Sequence, residues 1–314
     1  MKREIFITLA FLGIGMAPIP AQEGFIATQG KGGDDGISIF NAKGEMVNSL
    51  DRSGLAMVFS KSGDLFVANS APTNNGYMIW RFPYLGQTDW GPAEEYCLVE
   101  GQPRALALDE TSGVLYIGLH EGETLSNVLK CAGQGEKPEP YCGINDAGHQ
   151  IQDMEVGPDG KVWLGVYSEG YLRFPSEGGY APEFKILNGG KAGGFAIGQD
   201  PDYRDTAVLF GSVDDRLENF GYHDCETGQQ IGMLFSDEEM KNYCMTFGPD
   251  RNGDGVADIY IANYYDKIRV YDGKSGAKLG EFAEGLPVVS VAGFSPAASR
   301  SSAGPSPTPQ NAAR

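Results

Sequence analysis

The chain has 314 residues, 45 of them glycine, with 41% hydrophobic residues, a formal charge of −18 and a pI near 4.5. That length suffices for one large all-β domain or two ordinary ones. So acidic a surface argues against nucleic acids and anionic membranes as partners, and suits a protein that holds cations.

The chain begins MKREIFITLAFLGIGMAPIPAQEG. Lys2 and Arg3 give a basic start, Ile5 to Met16 an apolar run too short to span a bilayer, and Pro18 to Ala21 a cleavage region. This predicts a secretory signal peptide over residues 1–21 and a mature protein outside the cytoplasm, either extracellular or periplasmic. No cysteine stands at the cut, so neither a lipid anchor nor integral membrane association is expected.

From residue 22 onward a repeat takes over. Six β runs carry a small residue near the middle: GFIATQ, LFVANS, LYIGLH, VWLGVY, LFGS and IYIANY. The aligned positions are Ala27, Ala68, Gly118, Gly165, Gly211 and Ala262, spaced by 41, 50, 47, 46 and 51 residues. A strand ending in a Gly/Asp turn precedes most runs, as in LAMVFSKSGD and DMEVGPDG. A third strand follows, as in YMIWRF, GYLRF and KIRVYD, and then a weaker fourth, as in QIGMLF and KLGEF. Four antiparallel strands at a period in the forties predict propeller blades. GFIATQ lacks a preceding strand and VVSVAGF near Val288 lacks a following one, so the two are expected to pair and close the ring. The fold expected over residues 22–294 is a six-bladed β-propeller of four-stranded antiparallel blades; a pair of β-sandwiches does not need the sixfold anchor. Residues 295–314 are small, Ser/Pro/Ala-rich and nearly free of large apolar side chains, which predicts a disordered tail.

EVGPDGKVWLGVYSEGYLRF and TFGPDRNGDGVADIYIANYYDKIRVYDGKSGAKLGEF resemble the NHL-repeat and streptogramin-lyase-like propeller superfamily. The shared features are a G-P-D-G turn, an aromatic second strand and a third strand ending in YDGKSGA or HDCETGQ. The resemblance spans residues 24–294, strongest in the fourth and sixth repeats. It implies the fold more than the function, because such propellers host ligand-binding proteins, lactonases, lyases and scaffolds.

The most specific motif lies in the sixth repeat. Asp250, Asn252, Asp254, Val256 and Asp258 fit D-x-N-x-D-G-x-x-D, with side-chain oxygens at positions 1, 3, 5 and 9, a backbone carbonyl at 7, and Gly255 at the sharp turn. This predicts a structural Ca²⁺. The EF-hand Glu of position 12 is missing; Ile261 stands there. The loop instead resembles the calcium loops of FG-GAP (integrin-type) propeller blades. In the fourth repeat the same turn is only GPDGK, so the cation loop is an elongated blade turn. The fifth repeat has a partial version in Asp200, Asp202 and Asp205, without the central glycine.

Enzymes of this fold class place their chemistry at the other end of the second strands, where the channel opens. Second strands end there at Gln29, Asn69, His120, Tyr167, Asp214, Asn263 and Tyr264, and first strands begin at Arg104, Asp153 and Tyr243. Asn69, Arg104, Asp153, Tyr243 and Asn263 are the channel-mouth candidates. Asn69, Asp153 and Asn263 could hold a cation there; His120 is the candidate base and Asp153 the second catalytic candidate. The simpler reading is that these are solvated or capping groups. GHQIQDMEV is loosely similar to the lyases, with His149 ahead of an inner strand, but their partner Glu and His are not recognisable. Three histidines without H-x-H or H-E-x-x-H argue against catalytic zinc.

Trp80, Trp90 and Trp163 are expected to pack between blades, with Trp90 in the loop GQTDWGPAEE the one allowed as an exposed contact. Of Cys97, Cys131, Cys142, Cys225 and Cys244, the pair Cys131 and Cys142 brackets a loop and is the expected disulfide. Together these features favour a monomeric, calcium-stabilised, non-catalytic binding or scaffold module with an extracellular ligand or protein as partner. The alternative is a metal-dependent hydrolase, lactonase or lyase with its site at the channel mouth.

Overall fold

The computed structural model describes residues 24–30, 36–120, 127–144, 150–167, 169–186, 192–199, 207–213, 218–239, 242–263, 267–284 and 288–294. Residues 1–21, expected to be a signal peptide, residues 295–314, expected to be a tail, and His149, Asp200, Asp202, Asp205, Asp214 and Tyr264 lie outside them.

Among the described residues there are strands and no helix. Blade 1 holds β1 (Phe25–Gly30), β2 (Ile37–Asn41) and β3 (Met46–Leu50); blade 2 holds β4 (Gly54–Phe59), β5 (Leu65–Asn69), β6 (Tyr77–Phe82), a small hairpin of β7 (Tyr84–Gly86) and β8 (Asp89–Trp90), and β9 (Glu94–Val99). Blade 3 holds β10 (Gln102–Leu108), β11 (Leu115–His120), β12 (Val128–Cys131) and β13 (Glu139–Cys142). Blade 4 holds β14 (Ile151–Val156), β15 (Val162–Val166), β16 (Gly170–Phe174) and β17 (Phe184–Ile186). Blade 5 holds β18 (Ala196–Gln199), β19 (Ala207–Ser212), β20 (Asn219–Asp224) and β21 (Gln230–Ser236); blade 6 holds β22 (Asn242–Gly248), β23 (Asp258–Asn263), β24 (Lys267–Tyr271) and β25 (Lys278–Phe282). The last strand, β26 (Val288–Phe294), returns to blade 1 as its innermost strand, in the order β26-β1-β2-β3. Phe25 pairs with Phe294 and Ala27 with Ala292, so both ends of the propeller are locked into one sheet and the ring is closed as expected.

The core is not one mass but a set of apolar clusters, one at each seam between neighbouring blades. Strand alternation builds them, because side chains two apart share a face. In β15, Val162, Leu164 and Val166 pack toward blade 3, whereas Trp163 packs toward blade 5. The small anchor residues sit where the next blade comes closest. A Cβ on Gly165 would lie 2.8 Å from the Gly193 carbonyl, and one on Gly118 would lie 3.2 Å from Ile151.

The fifth anchor departs from this rule. Ala262 and Cys244 are cross-strand partners, as are Ala68 and Ala56, but the equivalent partner of Ala196 is Phe210, not Gly211. A one-residue slip turns a side chain to the other face. Gly211 therefore faces the preceding blade, where a Cβ would come 2.5 Å from the hydroxyl of Tyr171.

Two further expectations are corrected. Trp90 is not an exposed contact: it is 6% exposed, donates its Nε1–H to the Gly63 carbonyl at 2.9 Å, and lies edge-on to Phe25 at 5.4 Å between ring centroids. The β7–β8 hairpin folds it back over the seam of blades 1 and 2, where burying a large indole outweighs solvating a polar-looking loop. The Cys131–Cys142 disulfide does not form, and the described cysteines are all free thiols. In the β12–β13 register Cys142 stands opposite Val128, with Leu129 opposite Pro140. Cys131 is thus three positions further along the strand, about 10 Å away at strand spacing, which exceeds the reach of a disulfide.

Candidate functional site

The expanded turn of blade 6 joins β22 to β23. Gly253 and Gly255 adopt φ of 76° and 87°, which lets five residues wind back on themselves. Asp250 Oδ1 accepts the N–H of Gly253 at 2.6 Å and its Oδ2 that of Gly255 at 2.7 Å. Asn252 Oδ1 accepts from Asp254 N at 3.0 Å, and Asp254 Oδ1 from Val256 N at 2.9 Å. Asp258 enters the strand fully buried, with Oδ2 accepting the Arg251 N–H at 2.7 Å. Its other oxygen, Oδ1, is buried without a hydrogen-bond donor. Burial, opposed in part by that N–H, and the charges of Asp250, Asp272 and Asp254 push its pKa up to about 7.

Asp272 is the residue that sequence spacing missed. Ile259 pairs with Tyr271, so Asp258 and Asp272 flank that pair on adjacent strands. Asp272 Oδ1 caps its own turn, accepting from Lys274 N at 2.7 Å and Ser275 N at 2.6 Å, while Oδ2 receives the amide of Asn252. Burial pushes this carboxyl up, but those hydrogen bonds prevail and hold it below its ordinary value. The YDGKSG turn carries the signal only once the strands are paired. The loop also docks on blade 1: Arg251 Nη2 donates to the Lys43 carbonyl at 3.0 Å, and Pro249 packs against Gly24.

Among the described residues no three His, Cys, Asp or Glu side chains form a ready-made metal cluster. The donor set nevertheless fits a hard cation: four acidic side chains crowd together, and one buried carboxylate oxygen lacks any positive partner.

The channel is lined by β4, β10, β14, β18, β22 and β26, which pack against one another in a ring. Five of these strands carry a bulge close to their start. The shifts fall at Leu55, Arg104, Gln152 and Tyr243, and between the partners of Gln29 and Gly30 in β26. Bulges of this kind bend a strand and re-aim its side chains at a rim. Two sequence-predicted candidates, Arg104 and Tyr243, therefore stand at equivalent rim positions. Asn69 pairs with Gly54, His120 with Gln102, and Asn263 with Asn242, all at that same end. The side chains of Gln29, His120, Tyr243 and Asn263 lie outside the described set, as do the segments that follow most second strands.

Asp153 points inward and spans blades. Its Oδ1 accepts Met154 N at 2.9 Å and its Oδ2 accepts Phe195 N of blade 5 at 3.1 Å. Met245 N and the Cys244 thiol of blade 6 reach it as well. Burial raises its pKa to about 7 against the pull of these donors. Cys244 Sγ lies 3.5 Å from the Val291 carbonyl, so the wall is knitted from blade 4 to β26. From Asp153 a cavity of about 170 Å³ runs past Glu155, Met245 and Val291 toward the turn face. There it meets a funnel of about 410 Å³ walled by Lys61, Asp109, Glu110, Glu155 and Pro158. Glu110 Oε1 accepts the Lys61 N–H at 2.7 Å across two blades. Burial holds Glu110 above the usual carboxylate range, and burial together with Asp153 holds Glu155 well above it. Among the described residues, then, the channel opens on the face of the β22–β23 turn, while the segments at its opposite mouth lie outside them.

No protein-family model matches the chain, and no curated protein matches it either. Among solved structures it is similar to the crystal structure of a protein from Lactobacillus plantarum, a structural-genomics target. The two share 12% identity and a TM-score of 0.56, over 87% of this chain and 99% of that one. At that identity the likeness is one of fold alone.

Proposed function

We propose that the protein is an exported, calcium-stabilised β-propeller that serves as a non-catalytic binding or scaffold module. The observation that carries this reading is Asp153. The catalytic candidate with a described side chain has both carboxylate oxygens engaged by backbone N–H groups from blades 4 and 5, which is how a structural tether is built. The NHL-like turns of the fourth and sixth repeats support the same class. The acidic funnel on the turn face is the seat for an extracellular ligand or protein partner.

The calcium part rests on the unpartnered Oδ1 of Asp258. Asp250, Asn252, Asp254 and Asp258 would supply side-chain oxygens and Val256 its carbonyl, with Asp272 as an added carboxylate. The ion would neutralise the crowded carboxylates and pin the loop beside the ring closure. The basic and apolar start of the chain supports export.

The experiment is an activity screen against lactones, esters and glycosidic substrates, paired with Asp153→Ala. The reading predicts no turnover in the wild type. A turnover that Asp153→Ala abolishes at unchanged thermal stability would overturn it in favour of the hydrolase or lyase alternative.

A further inference from the structure

The outer strands of blades 2 and 3 bring two thiols together. Cys97 in β9 and Cys131 in β12 are 34 residues apart in sequence, yet their sulfurs lie within hydrogen-bond reach. Both are buried in the cluster at that seam, at 5% and 0% exposure. The turn after β12 holds the pair in place. Cys131 Sγ lies 3.2 Å from the Gly133 carbonyl, Gly135 N–H donates to the Tyr96 carbonyl at 2.7 Å, and Gln134 Nε2 donates to the Glu95 carbonyl at 3.0 Å. The residues just before Cys97 are thus clamped to those just after Cys131. A groove of about 890 Å³ opens over the seam, walled by Tyr96, Cys97, Gln134, Glu136 and Lys137.

We propose that Cys97 and Cys131 form a redox dithiol, which a peroxide entering this groove closes to a disulfide between blades 2 and 3. Cys97 lines the groove, whereas Cys131 is fully buried with its thiol donating to the Gly133 carbonyl, so Cys97 is the sulfur that meets the peroxide. Once its proton has left, Cys97 takes one oxygen of the peroxide, giving a sulfenic acid as the O–O bond breaks and hydroxide departs. The Cys131 sulfur then attacks the Cys97 sulfur, the S–O bond breaks and the S–S bond forms. The hydroxide takes the proton that Cys97 released, and the second oxygen leaves with the proton of the Cys131 thiol, so two waters form. Two thiols lose two electrons and one peroxide gains them.

The test is made on the whole reduced protein. Free thiols are counted in denaturant before and after treatment with hydrogen peroxide, followed by non-reducing peptide mapping. The proposal predicts a fall from five thiols to three and one crosslinked peptide pair containing Cys97 and Cys131. A cross-strand link closing a loop of this length raises the melting temperature by about 5 °C or more. Cys142→Ser keeps the crosslink and Cys97→Ser loses it. Five thiols after treatment, a crosslink between another pair, or Cys97 recovered as sulfinic acid without a crosslink would overturn it.

Discussion

Asp258 accepts the backbone N–H of Arg251 through Oδ2 at 2.7 Å, while its buried Oδ1 meets no donor. A buried carboxylate left half-satisfied beside Asp250, Asp254 and Asp272 is costly unless a cation completes it. Asp258→Asn keeps an acceptor for Arg251 and removes the charge. It is expected to abolish calcium binding in isothermal titration. Asp272→Asn keeps the turn cap at Lys274 and Ser275 and is expected to weaken binding about tenfold, equivalent to ~1.4 kcal/mol. Equal affinity in both variants and the wild type would remove these residues from the site.

Trp90 seals the seam where the ring closes, against Phe25, Phe59 and Tyr84. Trp90→Ala leaves a large cavity and an unpaired Gly63 carbonyl, and is expected to cost about 3–5 kcal/mol in denaturant unfolding. A cost under about 1 kcal/mol would mean that the hairpin is a mere surface loop.

The anchor positions give a graded test. At Gly118 an added methyl meets Ile151 and Ala105 side chains at 3.2 and 3.3 Å, so Gly118→Ala is expected to stay within about 1 kcal/mol of wild type. At Gly165 the methyl meets the Gly193 carbonyl at 2.8 Å, and Gly165→Ala is expected to cost about 2 kcal/mol or more. Melting curves of the two variants check the order.

Asp153 gives a pH signature. Its folded pKa of about 7 is raised from an unfolded value near 3.8. The folded state therefore holds the proton more tightly, and the contribution of Asp153 to stability is full below pH ~4 and lost as pH rises through ~7. The unfolding free energy of wild type minus that of Asp153→Asn is expected to fall by up to about 1.4 kcal/mol per pH unit over that window, then level off. A flat difference would place an ordinary, solvated carboxylate there.

What could be read in the sequence was whatever repeats. Ala27, Ala68, Gly118, Gly165 and Ala262 mark the blades because each repeat needs a small residue where the next blade packs, and GPDG marks the turns. Gly211 misled by one position because two small-residue patterns that differ by one residue look alike until Ala196 is seen to pair with Phe210. The polar loop GQTDWG hid the burial of Trp90, since a two-strand hairpin buries one side chain and exposes its neighbours. Asp272 and the Cys97–Cys131 pair were illegible for another reason. Strand register and blade neighbourhood bring them to their partners, and no local spacing records either. The cluster of Asp250, Asn252, Asp254 and Asp258 could be seen as a group because all four lie within one loop.

The most direct test is a calcium titration of chelator-stripped protein followed by thermal unfolding. Calcium pinning the loop beside the ring closure predicts a saturable rise in melting temperature, about 5 °C or more at 100 times the Kd, from ~2.7 kcal/mol of binding linkage. A melting temperature that is the same in chelator and in millimolar calcium would contradict it.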